Sequence, residues 1–438
     1  MSKKKTIASP LPSKKKSPKK IKNTKTPQAK KVVSKKSPAK ISPTKPKKKK
    51  IHPLVQAYKD VLLARAIDHR TIVLYKQNKC HFQIGGEGHE AVQVAAAHVF
   101  RPGLDWFFPY YRDIALVAAM GVPAESFMLN AMNKLDDPFS HGRQMPMHFC
   151  HTEHRIVSQS SPTGTQYLQA VGCAVGSSLK GLKEVTYVSS GEGTCSQGAF
   201  HEAINWAARD KLPVVFVIQN NGYAISVPVH EQLAGESVYK ITAGFEGLAR
   251  EQVDGTDYLA CLKVLTRAHE RALKGQGPTL VEAMVPRLQS HSISDNQLKY
   301  RSQKELDADR KRDPLLKLRK IVKSKKLLSE KELKTLELQI KNQVDAASDW
   351  AETQADPEAC TAIDHTYAVD PTLDYPEPSA EAGRELHMVD ALNEALIEEL
   401  EENPDVYIFG QDVAHGKGGV FGVTTGLTKK YGKKRVFN

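Results

Sequence analysis

Cysteine is scarce, long apolar runs are missing, and the first 50 residues contain no acid, no arginine and no aromatic side chain. Each absence excludes something. The six cysteines, at positions 80, 150, 173, 195, 261 and 360, never fall at a Cys-x-x-Cys spacing, which argues for reduced thiols and against a zinc site or disulfide framework. No stretch reaches the roughly 18 apolar residues of a membrane helix, and no secretory signal core is present. The chain therefore reads as soluble and cytoplasmic, with no membrane partner. Without aromatic residues, residues 1–50 cannot nucleate a core and are expected to form a disordered tail.

What that tail does hold is 20 lysines, interrupted by pairs such as Ser17-Pro18 and Thr26-Pro27. It accounts for the net charge of +14, since the remaining residues carry 43 basic against 49 acidic side chains. Two readings stand: an arm that binds polyanions by counterion release, or a solvated tether. The lack of arginine and aromatics favours the tether, because such a tail offers charge without stacking or bidentate recognition. Proline and the lack of arginine also argue against a mitochondrial transit peptide. The 40% hydrophobic content suffices for an enzyme-sized core elsewhere in the 438 residues.

From His52 onward, helical periods alternate with short β-branched runs, the pattern of an α/β fold with a mostly parallel sheet flanked by helices. Val185 to Val188, Val214 to Ile218 and Thr279 to Val285 read as strands. Phe200, Ala203, Ile204 and Ala207 fall at helical spacing between the first two. Residues 51–355 are expected to form one domain. The acidic, proline-containing stretch 356–384 reads as a linker, and 385–438 opens a further domain with Val389, Leu392, Leu396 and Leu400 on one helix face. Those last 54 residues are few for a well-buried domain.

The chemistry centres on two strand ends. Ser190-Gly191-Glu192-Gly193 closes one strand and Asn220-Asn221-Gly222-Tyr223 the next, with 26 residues between Gly193 and Asn220. Open α/β sheets bind ligands at carboxyl ends of strands. Glycines admit a phosphate close to the backbone, the next helix points its amides at it, and Glu192 with Asn221 offers hard oxygens for Mg²⁺. By itself such a pair of motifs is weak, because glycine turns and asparagine caps are common.

The surrounding segments resemble the thiamine-diphosphate-dependent decarboxylating component of 2-oxo acid dehydrogenase complexes. The resemblance runs through Trp106 to Arg112, Gly142 to His148, Ser161 to Gln166, Asn220 to Ser226, Val253 to Asp257 and Arg287 to Asp295, and resumes from Glu385. It implies a thiamine-diphosphate-binding fold. It also implies that Glu192, Asn221 and the Tyr223 carbonyl hold Mg²⁺, while Tyr111, Arg112 and the amides of Gly193 and Thr194 hold the diphosphate. Ser161 and Thr163 would line the cofactor cavity. Ser160, the Pro162 carbonyl, Thr165 and Gln166 fit the family's potassium site, with a plain polar turn as the alternative. His291 would reach the cofactor and act in acyl transfer, its loop ordered by Arg287 and Asp295.

Glutamate at 192, where the wider family has aspartate, is similar to the branched-chain enzymes. Gln219 departs from them, since they often carry arginine there, and predicts fewer diphosphate contacts. The implied reaction is oxidative decarboxylation of a 2-oxo acid of the 3-methyl-2-oxobutanoate type, with the acyl group passed to a lipoyl-lysine of the dihydrolipoyl acyltransferase component. A pyruvate dehydrogenase component is the alternative. Residues 385–438 resemble the start of the β-type, pyrimidine-binding domain, so the remainder of the β part is an expected partner and a homo-oligomer or α2β2-like assembly the expected form. From another class, an inactive fragment or a polyanion-binding protein would account for the incomplete β part or the tail.

Overall fold

The computed structural model describes residues 51–367 and 383–438. The tail assigned to 1–50 and the middle of the expected linker lie outside the described residues. In chain order the longer elements begin with α1 (Pro53–Lys76), α2 (Glu90–Val99), β1 (Trp106–Phe108), α3 (Ile114–Ala119), α4 (Ala124–Ala131) and α5 (Thr165–Leu179). Next come β2 (Thr186–Gly191), α6 (Gly198–Arg209), β3 (Val214–Asn220), β4 (Tyr223–Ala224), β5 (Val227–Pro228), α7 (Val238–Ile241), β6 (Ala249–Asp254), α8 (Tyr258–Leu273) and β7 (Thr279–Met284). Then follow α9 (Gln303–Arg310), α10 (Pro314–Ser324), α11 (Glu330–Glu352), α12 (Met388–Glu402), β8 (Ile408–Phe409), α13 (Leu427–Tyr431) and β9 (Val436–Phe437).

Local chemistry starts these helices where they start. Pro53 occupies the first turn of α1, and the His52 ring accepts from the Leu54 amide, which suits proline's missing N–H. Asp257 caps α8 through the Leu259 and Ala260 amides, and Ser329 with Glu332 forms a reciprocal capping box on α11.

Five strands form one sheet in the order β1-β2-β3-β7-β6, and every pairing in it is parallel. A parallel sheet must be covered on both faces, and side-chain alternation supplies both covers. Val215, Val217, Val281 and Tyr187 join α1 to α4 and α8 in one apolar core. Val214, Phe216, Ile218 and Leu280 join α5, α6 and α7 in the other. The fold is the expected α/β architecture. No helix among the described residues is long and apolar enough to cross a membrane.

Toward the C-terminus, β8 and β9 pair in parallel, and Leu400, Leu427 and Val436 make a small apolar cluster. Met388, Val420 and Phe421 stay exposed.

Candidate active site

Register brings the two motifs together. In the parallel pair β2–β3, Gly191 stands opposite Gln219, so the residues that follow each strand meet across the sheet's carboxyl edge. There Glu192 Oε2 accepts from the Asn221 amide at 3.1 Å. The first asparagine shapes the turn: Asn220 Nδ2 donates to Glu282 Oε1 at 2.8 Å, and its Oδ1 accepts from the Gly222 amide at 2.9 Å. Glu282, buried on β7, also ties down Ser237 and the amides of Val238 and Tyr239. Gly193 must be glycine for space, because a Cβ there would lie 2.6 Å from the Cβ of Ala224.

A cavity of about 380 Å³ opens at this edge, within the range of small-molecule and cofactor sites. Glu192, Gly193, Thr194, Asn221 and Tyr223 line one part of it. Tyr111, Arg112, Ser161, Thr163 and His291 line the rest. Phe82, Ile84, Met145 and Ile225 add an apolar wall, and Tyr110 and His148 also face the cavity. Of these, Phe82 and Ile84 have no sequence signature. Tyr110, Met145 and His148 sit inside the motifs quoted above, without a role assigned from sequence. His148 Nε2 lies 2.8 Å from Ser161 Oγ; its Nδ1 faces the Pro146 carbonyl and so carries the proton, leaving Nε2 to accept from the serine hydroxyl.

The charges are unbalanced in a specific way. Glu192 is completely buried, and its Oε1 has no hydrogen-bond partner. Burial pushes its carboxyl above the ordinary glutamate value, against the pull of the Glu192 and Asn221 amides. Arg112 is also buried, yet it donates only to the Gly85 carbonyl at 2.7 Å, the His291 carbonyl at 3.0 Å and His291 Nδ1 at 3.0 Å. Arg287 donates to the Ile225 carbonyl and the Tyr300 hydroxyl, and its Nε is buried without a partner. Neither guanidinium pairs with a carboxylate among the described residues. Burying charge without compensation is costly, so the site calls for a cation at Glu192 and an anion near Arg112. A magnesium–diphosphate head satisfies both, and the leading amides of the short helix Glu192–Ser196 have no partner within that helix.

Because arginine can only donate, the contact with Arg112 fixes the His291 tautomer: Nδ1 is bare and Nε2 carries the proton. Burial, then the charges of Arg112 and Arg287, lower the His291 pKa to about 4, so the ring is neutral at physiological pH. Asp295 Oδ2 accepts from the His291 amide at 2.9 Å and from the Tyr300 hydroxyl. Arg287 and Asp295 thus both fasten this loop, joined through Tyr300 rather than to each other.

Ser160 and Pro162 lie in the turn before α5, and Thr165 and Gln166 open the helix. Thr165 Oγ1 donates to the Pro162 carbonyl at 3.0 Å, and Gln166 bridges the Gly164 amide and the Ser189 carbonyl. None of their side-chain oxygens is left buried and unpaired. Gln219 gives the cavity nothing. Its buried carboxamide bonds instead to His89, Gln93 and Asp113, and Asp113, pushed up to about 6 by burial, also holds Ser189 and the Tyr110 amide.

His89 yields a pH prediction. Burial, with Arg112 nearby, lowers its pKa to about 3, against about 6.5 in an unfolded chain. Below pH 6.5 the unfolded chain takes up a proton that the folded protein refuses, so this stability is present above pH 6.5 and lost as pH falls. Relative to His89→Gln, the wild type is expected to lose about 2 kcal/mol between pH 7 and 5. Parallel urea titrations of the two proteins check it; a constant difference across that range would refute the neutral assignment.

Fold and cavity define an α/β protein with a parallel sheet and a polar-lined cavity at the carboxyl ends of its strands. A family model described as dehydrogenase E1 component matches residues 58–360. The 2-oxoisovalerate dehydrogenase subunit alpha of Bacillus subtilis is 40% identical over 314 residues, covering 72% of this chain and 95% of that protein. The pyruvate dehydrogenase E1 component subunit alpha of the same organism is 35% identical over 282 residues, 64% of this chain and 72% of the relative. The 3-methyl-2-oxobutanoate dehydrogenase subunit alpha of Mycobacterium tuberculosis is 35% identical over 274 residues, 63% of this chain and 71% of the relative. The chain belongs to the dehydrogenase E1 component family.

Proposed function

We propose that this chain binds thiamine diphosphate and Mg²⁺ as the α part of a 2-oxo acid decarboxylating component, with branched-chain 2-oxo acids as substrates. The observation that carries the reading is the charge opposition at one cavity: the unpaired, buried Glu192 Oε1 against the Arg112 guanidinium with no carboxylate partner. Glu192, Asn221 and the Tyr223 carbonyl would hold the metal. Arg112, Tyr111 and the Gly193 and Thr194 amides would hold the diphosphate. The potassium reading of Ser160, Pro162, Thr165 and Gln166 rests on family resemblance alone.

Thiamine diphosphate, when bound, supplies the electron sink for decarboxylation. The protein's share is placement and environment. Phe82, Ile84, Met145 and Ile225 present an apolar wall that accepts an aliphatic side chain and disfavours the substrate's charged carboxylate relative to the less charged transition state. His291, neutral and held through Nδ1 by Arg112, would offer its Nε2–H as a hydrogen-bond donor to the acyl oxygen during transfer to a lipoyl-lysine of an acyltransferase partner. In this reading residues 385–438 belong to a β-type domain, and the working form is an α2β2-like assembly with a β-type partner.

The test is decarboxylation with an artificial electron acceptor by the chain assembled with a β-type partner. With Mg²⁺ and thiamine diphosphate, kcat/KM for 3-methyl-2-oxobutanoate is expected to exceed that for pyruvate by about 10-fold or more, since each added methyl group in an apolar pocket is worth roughly 1–3 kcal/mol. A preference for pyruvate, the substrate in the name of one relative, would replace the substrate assignment. No cofactor-dependent turnover on any 2-oxo acid would refute the function.

A further inference from the structure

We propose that Asp68, on α1 outside the cavity, is a positioning residue that seats Arg112 and His291 by gripping the glycine loop Gly85–Gly88 from behind. The proposal rests on the functional reading above and extends it to a residue that touches neither cofactor nor metal ligands. Asp68 is only 2% exposed, and its Oδ2 accepts from the Gly86 amide at 2.8 Å. Its Oδ1 lies 3.4 Å from Gln83 Nε2.

The opposite side of the same loop holds the active site. The Gly85 carbonyl receives Arg112 Nη1 at 2.7 Å, and the other end of that guanidinium reaches the carbonyl and Nδ1 of His291, both at 3.0 Å. Two backbone bonds fasten the loop to the histidine segment as well: Ile293 N to the Gln83 carbonyl at 2.9 Å and Leu288 N to the Glu87 carbonyl at 3.2 Å. There is no slack between the two sides. A Cβ on Gly86 would lie 2.6 Å from the Arg112 carbonyl oxygen, and one on Gly85 would lie 3.3 Å from Asp68 Oδ1.

The neighbouring charges show what kind of grip this is. Arg65, one helical turn before Asp68, pairs with Glu90 and Asp313 instead, and His69 pairs with Glu87. Asp68 has no cation partner among the described residues. Burial, then the charge of Glu87, push its carboxyl up to about 8, so it holds the loop by hydrogen bonding and not by an ion pair. A carboxamide is its close isostere.

The experiment uses the full chain assembled with its β-type partner and compares wild type, Asp68→Ala and Asp68→Asn. Thiamine diphosphate affinity at saturating Mg²⁺ is read by calorimetry, and hydrogen exchange of the Leu288 and Ile293 amides is read without cofactor. Asp68→Ala is expected to weaken cofactor binding about 10-fold, the usual scale for an outer-shell partner, and to speed exchange at both amides. Asp68→Asn is expected to match wild type within about twofold in both readouts. Unchanged affinity and exchange in Asp68→Ala, or an Asn variant as impaired as the Ala one, would overturn the proposal. Should the Ala variant fail to fold, the Asn variant decides by the same limits. A wild type that binds no cofactor would refute the functional reading instead, while the exchange measurement would still decide the grip.

Discussion

Glu192→Gln is expected to abolish the thermal stabilisation by Mg²⁺ and thiamine diphosphate while leaving the cofactor-free protein as stable as wild type or more so. The sign follows from an unmet need. In the cofactor-free protein, Glu192 is buried with Oε1 unpaired, a state that costs free energy until a cation arrives. Glutamine keeps the bond that Glu192 Oε2 accepts from the Asn221 amide and removes the negative charge. A ligand at 100 times its Kd stabilises the wild type by about 2.7 kcal/mol, and that increment should vanish in the variant. Melting curves with and without cofactor, repeated with a chelator, check both halves. A cofactor-free variant clearly less stable than wild type would mean that Glu192 serves the fold and not a metal.

His291→Ala should separate the two halves of the reaction. A positioned hydrogen-bond donor to developing charge is worth about 10²–10³-fold, so acyl transfer to a lipoyl domain is expected to fall at least ~100-fold. Decarboxylation with an artificial acceptor should fall far less. Because the His291 pKa is lowered to about 4 by burial and the charges of Arg112 and Arg287, its protonation should leave no inflection in the acyl-transfer rate between pH 5 and 8. Pre-steady-state acylation across that range is the measurement. An inflection near 6.5 that disappears in the variant would show that the ring titrates as an ordinary histidine, and the tautomer argued from Arg112 would be wrong.

The parts of the site visible in sequence are those whose chemistry is local. Gly191 to Gly193 and Asn220 to Tyr223 close strands whose β-branched runs stand out, and the helix between them shows its period in Phe200, Ala203, Ile204 and Ala207. The residues that stayed hidden act across long separations. Phe82 and Ile84 resemble any loop hydrophobics until the fold turns them to the cavity. Glu282 reads as one acid within a strand, yet it anchors Asn220 from 62 positions away. Asp68 lies on a helix whose buried positions include Ala64, Ile67 and Thr71, and nothing nearby in the chain marks a carboxyl that reaches back to a glycine loop.

The sequence by itself determined the α/β class, the strand–helix–strand unit and the identity of the oxygens and amides offered at its strand ends, because periodicity and turn chemistry act over a few residues. Only the tertiary structure decided their electrostatic state. Parallel register set Glu192 beside Asn221, and burial left its Oε1 unpaired. Arg112 met His291 across 179 residues and fixed a neutral ring. Protonation and pairing depend on desolvation and on which charges meet in space, and those are properties of the packed molecule that no local pattern records.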